Sequence, residues 1–168
     1  SFFTSNFLAK EGFIHRDRFT AMYGLVGLAD AVNILLEKEG KTGRFGHDEY
    51  ANDLGVEIMD MIDEFNRNHK NVYCEVTDHN FLLHAQVGIA EDIGVTPGTR
   101  IPIGEEPEEL IDHLLVLSRF HKYFPSGVGD IFPFELNAAN NPEFILNIIQ
   151  GAFKERMRYF SLYSSDAD

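Results

Sequence analysis

The 168-residue sequence predicts an α/β fold from three features. Helical and strand-like hydrophobic periods alternate along it, Pro and Gly mark the changes of period, and a 44% hydrophobic content suffices for one core. Strands separated by helices favour some parallel pairing, with helices packed outside. A single unit over residues 1–168 is expected at this length.

Residues 1–17 begin without Met and carry Phe2, Phe3, Phe7 and Leu8, which need burial at once and read as an internal start. Asp17 is suited to cap a helix from about Arg18 to Glu39, with Phe19, Met22, Tyr23, Leu25 and Val26 as apolar faces and Gly40 as its stop. Gly24, Gly27, Ala29 and Ala31 let another backbone approach closely. The GKTGRFGH stretch, 40–47, has three glycines and is a loop. It follows a helix and lacks the upstream glycine of a phosphate loop, so nucleotide binding is disfavoured.

Asp48 opens a second amphipathic helix, with Leu54, Ile58, Met61, Ile62 and Phe65 as its stripe and Arg67, His69 and Lys70 at its negative end. From Asn71 the period becomes two: Val72, Cys74 and Val76 alternate with Tyr73, Glu75 and Thr77, a strand signal. On a strand Cys74 and Glu75 face opposite ways, so only one of them would face a cavity. Phe81 to Val87 is a further apolar run, and a turn-rich segment to Gly94 leads into a Pro97-Gly98 turn. Pro107, placed at a first helical position after Glu105 and Glu106, predicts a helix through Leu110, Leu114, Leu117 and Phe120.

Residues 118–135 organise the rest: Phe120, His121 and Lys122 close a helix, Pro125 and Gly127 stop it, and a strand runs from about Ile131 to Leu136. Asn140 or Asn141 then caps a helix with Pro142 first, carrying Phe144, Ile145, Ile148, Ile149 and Phe153. Tyr159 to Tyr163 is the last strand.

Fourteen basic against twenty-seven acidic residues give a net charge of −13, which argues against nucleic acid and anionic membranes as partners. One Cys excludes an internal disulfide, and the absence of a signal-like start or a long apolar run fits a cytoplasmic protein. His79 and His84 do not align as a ligand pair and the other histidines are dispersed, so no metal site is expected. Ser126 lacks a nucleophile elbow. Cys74 reads as a buried structural thiol or a cavity position. Arg100, beside Thr99, reads either as a bidentate anchor for a substrate carboxylate or phosphate or as the partner of one of the many acids.

The order Phe120-His121-Lys122, the Gly127–Gly129 turn, Ile131, Glu135-Leu136, Asn141-Pro142-Glu143 and Tyr159-Phe160-Ser161 resembles the C-terminal barrel segment of anaerobic ribonucleotide reductases, which are glycyl radical enzymes related to pyruvate formate-lyase. The segments GIAEDIGVTPGTRIPIGEEPEE (88–109) and SLYSSDAD (161–168) are more similar to the YjjI-like branch, and the similarity covers nearly the whole chain. Asp30 matches the acidic position of that family's glycine-rich helix, whereas Thr99-Arg100 replaces the reductases' Asn-Ser pair.

The resemblance implies part of a ten-stranded α/β barrel that abstracts hydrogen from a small substrate anaerobically. It also implies that no catalytic residue lies within the segment. The thiyl cysteine belongs upstream, and the radical glycine belongs in an RVxGY-type motif beyond Asp168. Thr99, Arg100, Cys74 and Glu75 are then candidates for lining the substrate cavity. No cofactor is bound by the segment itself; the parent carries the glycyl radical. An activating enzyme with an iron-sulfur cluster and S-adenosylmethionine is the implied partner, together with the remainder of the parent chain and, for such enzymes, a second subunit in a homodimer. Two alternatives are a non-catalytic binding or regulatory domain and an unrelated metabolite-binding enzyme using Arg100.

Overall fold

The computed structural model describes residues 6–85, 94–134, 140–159 and 161–164. Its helices are α1 (Phe7–Lys10), α2 (Leu28–Lys38), α3 (Glu49–Asn68), α4 (Leu110–Ser118) and α5 (Pro142–Lys154), and its strands are β1 (Met22–Leu25), β2 (Leu82–Ala85), β3 (Ile131–Phe134) and β4 (Ser161–Ser164). Short 3-10 turns lie at Arg16–Arg18, Glu75–Thr77 and His121–Tyr123.

The strands form two parallel pairs. β1 lies beside β2 with Met22 opposite Leu82, and β3 lies beside β4 with Ile131 opposite Ser161. Helix α5 is the crossover between β3 and β4, which makes a βαβ unit. The expected mixture of helix and parallel strand is therefore present.

Three expected elements take another form. The helix from Arg18 to Glu39 is divided: Met22–Leu25 is strand β1, and α2 begins only after Gly27, whose φ of 76° is left-handed. Gly24 and Gly27 carry no side chain to hold a helix together, and pairing with β2 takes the segment instead. The strand at 72–76 is absent as well. Cys74 (φ 68°), Asp78 (52°) and His79 (62°) are left-handed, and Thr77 Oγ1 donates to the carbonyls of Cys74 and Asn80, so the alternating segment curls into a turn. Burial does not follow the expected face: Cys74 is buried while Val72 and Val76, two residues to either side, are exposed. Lastly, α4 starts at Leu110 rather than Pro107, and Glu105 ahead of it is held by the loop at 40–47. Arg44 pairs with Glu105, and His47 Nε2 donates to the Glu105 carbonyl.

Other expectations stand. Asn141 caps α5 through Oδ1, which accepts from Phe144 N, and Pro142 occupies the first turn. Helix α3 runs where it should, but its buried positions are Ala51, Asn52, Gly55, Met59 and Asn66, while Met61 and Phe65 of the expected stripe are exposed. Phe2, Phe3, Val87, the turn-rich segment at 88–93, Glu135, Leu136, Phe160 and residues 165–168 lie outside the described residues.

The core gathers around the stretch after α4. Phe120, Phe124, Val128 and Phe132 are all buried and pack with Leu36, Phe45, Met59, Ile101 and Leu117. Phe45 meets Phe120 with ring centroids 5.6 Å apart. This pair fits only because α3 has a glycine beneath it: a Cβ at Gly55 would stand 2.7 Å from the Phe45 ring. Alanine has the higher helix propensity by about 1 kcal/mol, yet the buried clash outweighs it. Gly55→Ala should therefore destabilise the protein by about 1–3 kcal/mol, as read from the midpoint of urea unfolding; an unchanged or higher midpoint would contradict this packing.

Candidate functional site

The segment that carries Thr99 and Arg100 is fastened to the end of β1. Gly27 N donates to Thr96 O (2.7 Å), Gly98 N to Leu25 O (3.2 Å) and Thr96 N to Asp30 Oδ2 (2.9 Å). Asp30 thus has a structural task in the first turn of α2. The expected turn at Pro97-Gly98 is present, with Gly98 at φ 56° and Pro97 bridged to Val26.

Thr99 and Arg100 follow this turn and both are buried. Arg100 Nε lies 2.7 Å from Asp130 Oδ1. The N–H does not point along that line, so the contact is a Coulombic pair without a directed hydrogen bond. Asp130 Oδ1 also accepts from Ile131 N at 2.7 Å, and Oδ2 lies 3.1 Å from His113 Nε2. A carboxylate between an arginine and an imidazole accepts, so His113 is the donor there. The His113 ring packs on Phe132 with centroids 4.5 Å apart, and Ser161 Oγ donates to the Asp130 carbonyl at 2.8 Å. One residue, Asp130, thereby connects the 96–100 segment, α4 and β3 through its carboxylate and β4 through its backbone carbonyl.

Of the two readings of Arg100, pairing with an acid is realised, and the acid is Asp130. Asp130 and His113 were not singled out by the sequence. No spacing rule joins positions 100, 113 and 130; only a buried acid next to a glycine turn hints at them. The Thr99 hydroxyl has no hydrogen-bond partner among the described residues although it is fully buried. It has bonding capacity left for a ligand or water.

Cys74 and Glu75 lie elsewhere. Cys74 is buried, and its Sγ accepts from Ala21 N at 3.2 Å, just ahead of β1. Because the chain turns here instead of extending, Cys74 and Glu75 line the same cleft of about 420 Å3, with Asp17 and Tyr73, and are not on opposite faces. No group of His, Cys, Asp or Glu able to hold a metal ion occurs among the described residues.

The loop at 40–47 offers its amides to the protein's own side chains. Gly43 N donates to Tyr50 Oη, Arg44 N to Asp48 Oδ2, Phe45 N to Asn33 Oδ1 and Gly46 N to Asn52 Oδ1, at 2.7–2.9 Å. A phosphate cradle needs such amides free. These four are occupied.

His121 closes the organising stretch. Its Nδ1 accepts from Arg158 N (2.9 Å) and Val128 N (3.4 Å), so the ring proton is on Nε2. Gly127, at φ 82°, makes room for the ring, since a Cβ there would lie 3.0 Å from Nδ1. Burial, and then the charge of Arg158, lower the His121 pKa from 6.5 to about 4. Tyr123 nearby donates to Asp60 Oδ1 at 2.5 Å; burial and this bond raise the phenol's pKa, and the same bond lowers that of Asp60.

Above pH 6.5 His121 is neutral in both the folded and unfolded chain. As pH falls from 6.5 towards 4 the unfolded chain takes up a proton that the folded one refuses, and stability on the order of 3 kcal/mol is lost. His121→Asn keeps an acceptor near the Nδ1 position and should flatten this part of the stability–pH curve; an unaltered curve would show that another group titrates. Removing one partner of a buried pair strands the other charge, so Asp130→Asn should cost about 3–5 kcal/mol in unfolding free energy. A loss below about 1 kcal/mol would place Arg100 in water instead.

Comparison with known proteins agrees along the whole chain. The family model described as "Glycyl radical enzyme YjjI-like" matches residues 1–168. An uncharacterized protein of Haemophilus influenzae is 44% identical over 171 residues, covering 100% of this chain and 33% of its own length. The uncharacterized protein YjjI of Escherichia coli is 42% identical over 167 residues, covering 99% of this chain and 32% of its own. The chain thus spans about a third of the length of these relatives, and it belongs to the YjjI-like family of glycyl radical enzymes.

Proposed function

We propose that this chain forms part of the ten-stranded α/β barrel of a glycyl radical enzyme acting under anaerobic conditions on a small substrate. The match of the family model from residue 1 to residue 168 is the observation that carries this reading. Two short parallel pairs support it. Parallel sheets are stable when covered on both faces, yet Met22 and Tyr23 of β1 and Ile131 of β3 are exposed, which leaves faces for further strands and side chains to cover.

The chemistry in such an enzyme begins when a separate activating enzyme, using S-adenosylmethionine and an iron-sulfur cluster, removes a hydrogen atom from a glycine of the parent chain. A cysteine upstream gives its hydrogen atom to that glycyl radical, and the thiyl radical so formed takes a hydrogen atom from the substrate. This segment would help to wall the cavity and keep water out. Thr99 and Arg100 are the residues we assign to the substrate side, with Asp130, itself bonded to His113, paired with the guanidinium from behind. Cys74 and Glu75 would contribute through their shared cleft. A homodimer and a cytoplasmic location complete the proposal. No helix among the described residues is long and apolar enough to cross a membrane.

Anaerobic incubation of the full-length protein with its activating enzyme, S-adenosylmethionine and a reductant should produce an organic-radical EPR signal split by one α-hydrogen. Failure to form it, with active activase, would overturn the radical reading. For the cavity assignment, small carboxylates and phosphates that raise the melting temperature of the full-length protein should lose that effect in Arg100→Lys, which retains a cation beside Asp130 without the planar fork. Equal shifts in the variant would remove Arg100 from the site.

A further inference from the structure

A second cluster of cations lies apart from Arg100. Four of the fourteen basic residues, Arg119, Lys122, Arg156 and Arg158, line one cleft of about 470 Å3 in a chain with a net charge of −13. Glu155 is the one acid among its lining residues. Arg119 is paired with Asp53, and Lys122 Nζ is 3.6 Å from Asp60. Arg158 donates from Nη1 to the Phe124 carbonyl at 2.8 Å, a bond that fixes the guanidinium without neutralising it. Arg156 is exposed and makes no ion pair among the described residues.

The bland account of such residues is that they offset the negative ends of helices. It covers Arg119, the C-cap of α4, but it weakens beyond the last turn, where Arg156 and Arg158 lie. Arg156 is also in an unusual place. Met157 N donates to Ala152 O and Arg156 N to Phe153 O, both at 3.0 Å, which is the paired bonding of a Schellman terminus. The residue after the cap in that motif is left-handed and is usually Gly, and here it is Arg156 at φ 63°. A non-glycine residue there costs about 1–2 kcal/mol. Helix termination alone would favour glycine. The arginine at this position places its long side chain in the cleft.

We propose that the cleft between the ends of α4 and α5 binds a small phosphate-bearing anion, with Arg156 and Arg158 as its principal donors and Arg119 and Lys122 at its edge. Guanidinium forks match phosphate oxygens in pairs, which ammonium groups do not. The site shares no residue with the Arg100 cluster and does not depend on the radical reading.

The test is titration of the full-length protein with inorganic phosphate and with pyrophosphate by calorimetry, at constant ionic strength. Saturable binding tighter than about 1 mM is expected for at least one of them. Arg156→Gly introduces the residue that the helix terminus favours, so its melting temperature should be equal or higher while affinity falls at least about tenfold. Tighter binding of pyrophosphate would indicate a diphosphate group in the natural ligand, and equal binding a monophosphate. Absence of saturable binding, or unchanged affinity in Arg156→Gly, would overturn the proposal.

Discussion

The arrangement of this chain depends on one buried carboxylate. Asp130 takes Arg100 on one oxygen and His113 on the other, while its backbone carbonyl receives Ser161. Desolvating such a group is unfavourable unless every lone pair finds a donor. Four parts of the chain must therefore arrive together: the segment fastened to β1, the middle of α4, the start of β3 and the start of β4. The pair says little about net stability, since apolar residues can replace buried ion pairs without loss. What it fixes is placement. The two parallel sheets have no strand in common, and this carboxylate is one of the links between them.

Aromatic packing provides another link. The run from Phe120 to Phe132 buries Phe120, Tyr123 and Phe124 before Gly127 and Val128 and Phe132 after it, so a single stretch supplies both core side chains and the route from α4 into β3. His121 sits inside that turn with both of its backbone donors satisfied at one nitrogen. Neutral imidazole is the state compatible with this arrangement, so the low pKa and the turn geometry have a common origin in burial.

Much of this was legible from the residues. Proline, asparagine and glycine signals placed α5, the organising turn and the loop at 40–47, because capping and turn formation are local events. Sequence and structure part where non-local pairing decides. Strand β1 is four residues long and paired with a partner 60 positions on, so its glycine-bearing sequence looked like the start of a helix. The alternation of Val72, Cys74 and Val76 imitated a strand, although three non-glycine residues in the region adopt positive φ. At the candidate site, Arg100 was visible as a charge with two possible uses. Asp130 and His113 were not visible, because folding alone brings positions 17 and 30 residues away into contact with it or its partner.

The loop at 40–47 shows where such information is stored. Its shape is held by Asn33 in one helix and by Asp48, Tyr50 and Asn52 at the start of the next, each supplying an oxygen that a neighbouring backbone would ordinarily provide. The eight letters of the loop are therefore an incomplete description of it. Transplanted alone into another scaffold they would lose their shape, whereas a change confined to Asn33 or Asn52 would reshape the loop without altering any residue within it.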